Sequence, residues 1–475
     1  MKLVLLLLGM VLFLPLRGEA NVQLAVGWNE RHLSARVLAE QVAWRDATGG
    51  HTLVLPAQGA VNLALVTPRT SIAVVSDKAA AIWLQRAFLH RYPTRIVSLG
   101  AKHALTLLER DAEVLWDTET VFVQANAADF PSMLALTLPD GAVRYLSDHS
   151  VRFAGGGQPV RVDDASFRGN IIFNPNRRGL LTSINVLPLE EYLLGVVPNE
   201  MPAAWPLDAL KAQALAARSY AVRQRNRHGQ DGFDLCSTIH CQAYQGKGSE
   251  HPRSTQAVMA TRGQVITFDG AVIDAVYHAH AGGHTRNSEH VWGGVAPYLR
   301  GVSIPEEPPL TWTRRVTVGE FERRLRARQI NVAHVTGVRI AEHADVGHVR
   351  SVRVTSLLGT VDISASDLRA ALDRAQMRST KFDILILDQL RRPFRIYPAP
   401  RPFRLELGRL AGVYHDLLPT QPASVEITGS GFGHGVGMSQ WGAFGLAQAG
   451  VDYQGIIHRF YRGVTISRVP LNLRD

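Results

Sequence analysis

The sequence predicts a mixed α+β fold preceded by a small α/β region. Three observations carry this. Between residues 150 and 190 the segments VRFAGG, SFRGNIIFN and GLLTSINVLPL alternate apolar and polar positions around Gly and Asn turns, the period of half-buried strands. A helical stretch, PLDALKAQALAARSYAVRQRN, then follows. Beyond it strands and helices succeed each other irregularly, and no internal repeat is visible.

Element by element, residues 21 to about 150 form the α/β region. SIAVVSD (71–77) reads as a strand. KAAAIWLQRAFLHRY (78–92) reads as a helix with Ile82, Leu84, Ala87 and Leu89 apolar, and RIVSLG (95–100) as another strand. No catalytic motif occurs there, and a packing or binding module is the expectation. In the helical stretch Pro206 is placed to open the helix, with Asp208 in its first turn. Leu210, Ala214, Ala217 and Ala221 mark one narrow face, where alanines permit close approach of a neighbour. TRGQVITFDGAVIDAVYHAHAGGHTRNSEHVWGG reads as two strands and a glycine-rich loop. Residues 301–420 add helices in VGEFERRLRAR and ASDLRAALDRA and strands in HVRSVRVTS and TVDIS, and SVEITGS resumes the strand pattern.

The 475 residues suffice for two or three domains, and 46% hydrophobic content allows large cores. The net charge of +10 suits anionic partners. No Lys/Arg block or nucleic-acid motif is present, so an anionic cell-wall polymer, or a basic surface with no specific partner, is expected rather than nucleic acid. Residues 1–20 carry Lys2, the apolar run LVLLLLGMVLFLPL and a small-x-small site at Gly18-Glu19-Ala20. These are the parts of a secretory signal cleaved after Ala20, with an uncleaved anchor as the alternative. The protein is expected to act outside the cytoplasm.

The two cysteines, Cys236 and Cys241, lie in LCSTIHCQAY. In an exported protein they can form a disulfide or stay as thiols. His240 beside Cys241, and His228 upstream, also allow a small metal site, which a C-x4-C spacing does not by itself specify.

Three groups of residues could carry chemistry. Glu200 sits in VVPNEMP between two prolines, just ahead of the predicted helix, where fixed backbone holds a carboxylate still; the plainer reading is a surface turn. Lys211 and Arg218, seven residues apart, share a helix face and could hold a sugar's polar groups or a carboxylate, or be solvated. His278, His280, His284 and His290 fall within YHAHAGGHTRNSEHVWG, but without a metalloprotease spacing. There Gly282, Gly283 and Thr285 suggest a loop that approaches a ligand closely. In GFGHGVGMSQWGAFGLAQAG (431–450), seven of twenty residues are glycine. Backbone amides there could approach a bound chain, with His434, Ser439 and Gln440 supplying polar groups and Trp441 a flat face; tight packing is the plainer reading.

VVPNEMPAAWPLDALKAQALAARSYAV, CSTIHCQAYQG, HAGGHTRNSEHVWGGVAPYLRGV and GFGHGVGMSQWGAFGLAQAG occur in the order seen in the SpoIID/LytB family, and the chain resembles that family from about 150 to 470. The resemblance implies a SpoIID-like mixed domain over 151–475 with a glycan-binding cleft, in an exported protein acting on peptidoglycan. It implies a lytic transglycosylase working on glycan strands stripped of their stem peptides, or, as in LytB-type members, an enhancer of a cell-wall amidase that only binds glycan. Glu200 then takes the family's catalytic role. Lys211, Arg218, His278, Gly282, Gly283, His284, Thr285, His434 and Gln440 fall where glycan would be bound. Cys236, His240 and Cys241 become candidate ligands of a structural zinc, with His228 left outside because its spacing fits poorly. The family loop often reads Ser-x-Cys-Gly-Gly-x-Thr where this chain has His278-Ala279-His280-Ala281-Gly282-Gly283-His284-Thr285.

Most glycosidases need two carboxylates, whereas a lytic transglycosylase can work with one because the sugar's C6 hydroxyl attacks. A partly desolvated Glu200 would be raised toward the pKa an acid needs.

Overall fold

The computed structural model describes residues 21–25, 34–46, 49–55, 60–66, 70–75, 94–99, 102–107, 133–139, 143–145, 150–175, 181–394 and 421–468. The signal sequence at 1–20 and the helix expected over 78–92 lie outside them. Among the described residues no helix is long and apolar enough to cross a membrane. The fold is mixed α+β, and the chain divides into two compact units. One comprises residues 1–203, 221–263 and 468–475, the other 204–220 and 264–467.

The first unit is built on antiparallel pairings that the alternating sequence dictates. Its seven-stranded sheet runs Leu235–Cys236, Asn21–Ala25, Leu181–Pro188, Asn170–Pro175, Val151–Ala154, Gln41–Asp46, Gly49–Val54. Val151 lies opposite Trp44 and Asn21 opposite Pro188, so strands from before and after residue 150 share one sheet. Phe153 and Phe173 are buried and meet edge to face, with ring centroids 5.8 Å apart. A six-stranded sheet and a three-stranded sheet complete the unit; Thr70–Val75 and Thr94–Leu99 flank Lys102–Leu107 in the latter, where the sequence placed strands.

Directly after the strand Leu181–Pro188 comes the helix Leu189–Glu200, with Glu190 and Glu191 in its first turn. Leu189, Tyr192, Leu193, Val196 and Val197 are buried, the i, i+3, i+4, i+7, i+8 stripe of a core-facing helix. Each such side chain contributes about 1.5–3 kcal/mol.

The second unit contains most of the helix Leu207–Arg223, opened by Pro206 as the sequence indicates. The expectation of one narrow buried face is too modest: Ala209, Leu210, Ala212, Gln213, Ala214, Leu215, Ala216 and Ala217 are all fully buried. Alanine on every side removes the bulk that would otherwise keep neighbours away. A core of its own, including Trp312, Phe321, Leu325, Val352, Leu368, Ile384 and Ile427, joins two three-stranded sheets to the helices Val318–Arg326 and Ala365–Ala371. Thr317 and Ser364 cap those helices, accepting from the amides of Glu320 and Asp367.

Candidate functional site

Glu200 lies ahead of the helix Leu207–Arg223, as the sequence indicated, and is itself the last residue of the helix Leu189–Glu200 in the first unit. Pro198 lies within that helix. The proline, two residues before the end, costs the helix one amide bond, the one residue 198 would give to Leu194 O. The Asn199 side chain secures this end, its Nδ2 donating to Gly195 O (2.6 Å) and Ser249 Oγ (2.8 Å). A helix C-terminus is an unfavourable place for a carboxylate. The Ala243 amide offsets this by donating to Glu200 Oε1 at 2.8 Å.

Both neighbours of Ala243 are anchored. Tyr192 Oη donates to Gln242 Oε1 (2.9 Å), Tyr244 Oη donates to Asn185 Oδ1 (2.8 Å), and the Tyr244 amide donates to Ser237 O (3.1 Å). Burial pushes the Tyr244 phenol above its usual range, so it stays a donor. The ring fits because residue 195 is glycine: a Cβ there would come within 2.6 Å of Tyr244 Cε2.

The loop preceding Ala243 brings together His228, Cys236, His240 and Cys241, whose ligand atoms all lie within 4.8 Å of one another. The two thiols are not bonded to each other. Cys241 Sγ lies 3.4 Å from His228 Nε2 and 3.5 Å from His240 Nδ1, and Cys236 Sγ is 3.6 Å from His240 Nδ1. Tetrahedral zinc with bonds of about 2.3 Å to sulfur and about 2.0–2.1 Å to nitrogen separates S and N by about 3.6 Å, so the donor set fits that ion. The hydrogen bond between the thiols holds Cys236 well below the usual thiol value and pushes Cys241 up. A thiol held down in this way is on the side that favours a ligand. The sequence reading left out His228 on spacing. The fold returns it across thirteen positions through the His228–Phe233 bridge, a turn whose local signal is Asp231-Gly232.

The other candidates lie in the second unit. Arg218 is fully buried, with Nη1 donating to Gln264 O at 3.2 Å, so its side chain acts inside the protein rather than on its surface. Lys211 Nζ lies 3.2 Å from Asp208 Oδ1 and over the Tyr453 ring at 5.6 Å. Gln440 Nε2 donates to Gln213 Oε1 in a buried pair.

From Gly431 to Gly437 every second residue is a glycine with φ between +69° and +115°, a conformation L side chains avoid. The partner held close to this backbone is the protein's own segment 276–286. His280 and Phe432 exchange both amide bonds, Arg286 N donates to Gly435 O, and Met438 N donates to Val276 O. These amides are spent internally. Of the residues expected to touch a ligand, Thr285 is buried with Oγ1 accepting from Val302 N, and His284 Nδ1 donates to Thr285 O. Gly282 N donates to His280 Nδ1, and Gly283 N donates to Glu307 Oε2. His278 Nδ1 donates to Val436 O, and burial holds its pKa well below the usual imidazole value. His434 accepts from Val436 N at Nδ1 and donates from Nε2 to Tyr277 O; burial lowers it to about 4. These histidines are neutral and committed to backbone.

Glu307 escaped the sequence reading. Its buried carboxylate accepts from Ala281 N, Gly283 N and Ser439 Oγ and lies 3.2 Å from His280 Nδ1, pinning the glycine pair to the start of the helix Gln440–Gln448. Its flanking prolines in Pro305-Glu306-Glu307-Pro308 are the one local signal of a fixed carboxylate.

Comparison with known proteins places these features. The model of the SpoIID family, stage II sporulation protein, matches residues 177–268, which include Glu200 and the thiol–imidazole cluster. The chain is 30% identical to stage II sporulation protein D of Bacillus amyloliquefaciens over 339 residues, 67% of this chain and 84% of that protein. The chain belongs to the SpoIID family. Other relatives of this SpoIID-family chain include an uncharacterized protein of Brachyspira hyodysenteriae, 31% identical over 63% of this chain and 72% of that protein. The amidase enhancer of Bacillus subtilis is 30% identical over 58% of this chain, a match covering 40% of the enhancer.

Proposed function

We propose that the protein is an exported peptidoglycan lytic transglycosylase with Glu200 as its single acid and base. The observation that carries this is the held carboxylate: Glu200 is fixed at a helix end by the Ala243 amide, and Ala243 is itself locked between the anchored Gln242 and Tyr244. One fixed carboxylate suffices for this chemistry. Protonated Glu200 gives its proton to the oxygen linking MurNAc C1 to GlcNAc, and the C1–O bond breaks. The C6 hydroxyl of the same MurNAc forms the new C1–O bond, and Glu200 takes its proton. The products are a free GlcNAc 4-hydroxyl and a 1,6-anhydro-MurNAc end, with no water consumed.

His228, Cys236, His240 and Cys241 hold zinc in this reading, as four protein ligands of a closed structural site. The metal would supply cross-linking of the loop, not acid–base chemistry. The loop continues through Gln242 to Ala243, so the four residues help position the amide that orients Glu200.

The amidase enhancer of Bacillus subtilis supports a second reading, in which the chain binds glycan without cleaving it and assists a cell-wall amidase. Mass spectrometry of soluble products from peptide-stripped and intact glycan strands separates the two. Anhydro-MurNAc ends that disappear in Glu200→Gln are expected. Binding without cleavage by the unaltered protein would replace the first reading with the second.

A further inference from the structure

In the second unit the turn that joins the strands Val349–Ser356 and Gly359–Ser364 consists of Leu357 and Leu358, 73% and 61% exposed. Nothing in the turn asks for leucine. Such connections are ordinarily made of Gly, Asn, Asp or Ser, which supply the dihedral angles and side-chain bonds that a tight reversal needs. Here those tasks fall on the flanking residues. Gly359 takes a φ of +110°, and Ser356 Oγ accepts from Leu358 N at 3.2 Å and donates to Gly359 O at 3.1 Å. Leu357 N donates to Ala333 O at 3.0 Å. The backbone of the tip is thus braced while two large apolar side chains stand in water. They are not part of the unit's core, which takes Val352, Val354 and Ile363 from the same two strands.

Exposed leucines are ordinary one at a time, but an adjacent pair on a braced, projecting turn is a contact patch. Its surroundings indicate the partner. Residues 323–341 and 346–361, which supply the tip and the chain it is tied to, hold seven arginines and no Asp or Glu. From 311 to 394 there are fifteen Lys and Arg against nine Asp and Glu, more than half of the chain's net +10 in under a fifth of its length. Glu322, which precedes the first stretch, accepts from the Val335 amide at 2.7 Å. Arg326 and Arg328 are exposed at the end of the helix Val318–Arg326. Arg328 is five residues from Ala333, at most about 18 Å of extended chain, so cation and leucines can reach one flat surface. Positive charge spread over tens of residues, with an apolar point in its midst, matches an extended anionic surface that has an apolar interior. A protein groove would ask instead for a longer apolar face with charges aligned to it, and this tip offers two side chains only.

We propose that this tip docks on an anionic lipid bilayer, with Leu357 and Leu358 entering the boundary between headgroups and acyl chains and the neighbouring arginines at the level of the phosphates. The contact is shallow and reversible, since two leucines are far from a membrane span and each arginine near the surface strengthens binding only about fivefold. It stands independently of the role of Glu200. Its consequence is to hold the second unit at a membrane face.

Because the apolar run at 1–20 could reach lipid by itself, the test reads the tip rather than the whole chain. Leu358→Trp places a fluorophore there in the full chain, and brominated acyl chains quench an indole only within the bilayer. The reading is the difference in emission between Leu358→Trp and the unaltered chain. Quenching of that added emission is expected on vesicles of equal parts phosphatidylglycerol and phosphatidylcholine, and its loss on phosphatidylcholine alone or in about 0.5 M salt. Arg326→Gln with Arg328→Gln in the Leu358→Trp chain should cut the quenched fraction, the two arginines together being worth about thirtyfold in the docking equilibrium. Leu357→Asp in the same chain should abolish quenching. All four positions are exposed, and near-ultraviolet circular dichroism checks that each variant keeps the fold. Absence of quenching on anionic vesicles would overturn the proposal and leave the turn to a protein partner. Equal quenching on both vesicle types, or quenching untouched by the arginine substitutions, would overturn the assignment to an anionic bilayer.

Discussion

Gly195→Ala tests the support of Glu200 without touching its carboxylate. In an open helix interior this change stabilises by about 1 kcal/mol, because alanine is the better helix former. Here the added Cβ would lie 2.6 Å from Tyr244 Cε2 and 3.2 Å from Gly246 O. Ordinary carbon contacts fall at about 3.5–4.0 Å, so the ring must retreat by about 1 Å. It has little room to do so, with Tyr192 at 5.4 Å and Phe167 at 6.4 Å between ring centroids. Overpacking of this kind costs about 1–3 kcal/mol. Retreat also lengthens the Tyr244–Asn185 bond and strands a buried acceptor, a further loss of about 1–3 kcal/mol. The losses exceed the propensity gain, leaving a net destabilisation of about 1–5 kcal/mol. At about 2–4 °C per kcal/mol, the melting temperature should fall by several degrees, about 10 °C at the middle of that range. Differential scanning calorimetry reads this directly. Ala243 moves with Tyr244, so glycan cleavage below the melting temperature should fall as well. An unchanged or raised melting temperature with full cleavage would show that the ring is not wedged and that the Ala243 amide does not depend on it.

Zinc removal should act through structure. Purified protein is expected to carry one zinc per chain by elemental analysis, and Cys241→Ser or Cys236→Ser to carry none and to melt several degrees lower; a metal-free wild-type protein with the same melting point as both variants would refute the assignment. The pH dependence of stability has a fixed sign. His278, His348 (about 3) and His434 (about 4) have folded pKa values depressed by burial below the ordinary 6.5. The unfolded chain therefore binds more protons between pH 6.5 and 4, so stability is complete above pH 6.5 and is lost as the pH falls toward 4, by up to about 1.4 kcal/mol per pH unit for each histidine. Urea midpoints at pH 7, 6 and 5 should decrease in that order, and a midpoint that is flat or higher at pH 5 would contradict the burial of these rings.

What the sequence made legible, and what it hid, divides by range of interaction. The strands around 151–188, the helix opened by Pro206, and the helices capped by Thr317 and Ser364 were readable because period and capping are local. The helix ending at Glu200 went unread because Pro198 is an unfavourable residue in isolation, and only the buried stripe Tyr192, Leu193, Val196, Val197 shows that tertiary packing wins. Arg218 looked like a surface cation at helical spacing; that every side of its helix is buried depends on partners far away in the chain. The glycines of 431–437 were recognisable as a close approach, but whether to a ligand or to the protein's own strand turns on pairing with residues 276–286, about 150 positions earlier. His228 joined the cysteines through the bridge to Phe233, which reverses the chain; Asp231-Gly232 marks a turn there, but not which residues it brings together.

The soft-ligand cluster of the first unit and the amide that holds Glu200, the carboxylate proposed as the acid, are two residues apart in the chain. Cys241 belongs to the cluster and Ala243 holds Glu200. A loop of this kind, left unconstrained, must give up about 1–2 kcal/mol of backbone entropy for each residue it orders. An acid that must present its proton within about 0.5 Å cannot rely on such a loop. A metal ion would fix Cys236, His240 and Cys241 to one point, and with Gln242 and Tyr244 held by the tyrosine–asparagine network it would remove that freedom on both sides of the amide before substrate arrives. On this argument the cluster has no need of an open coordination position, and the four ligands that leave none are what a purely positioning role requires.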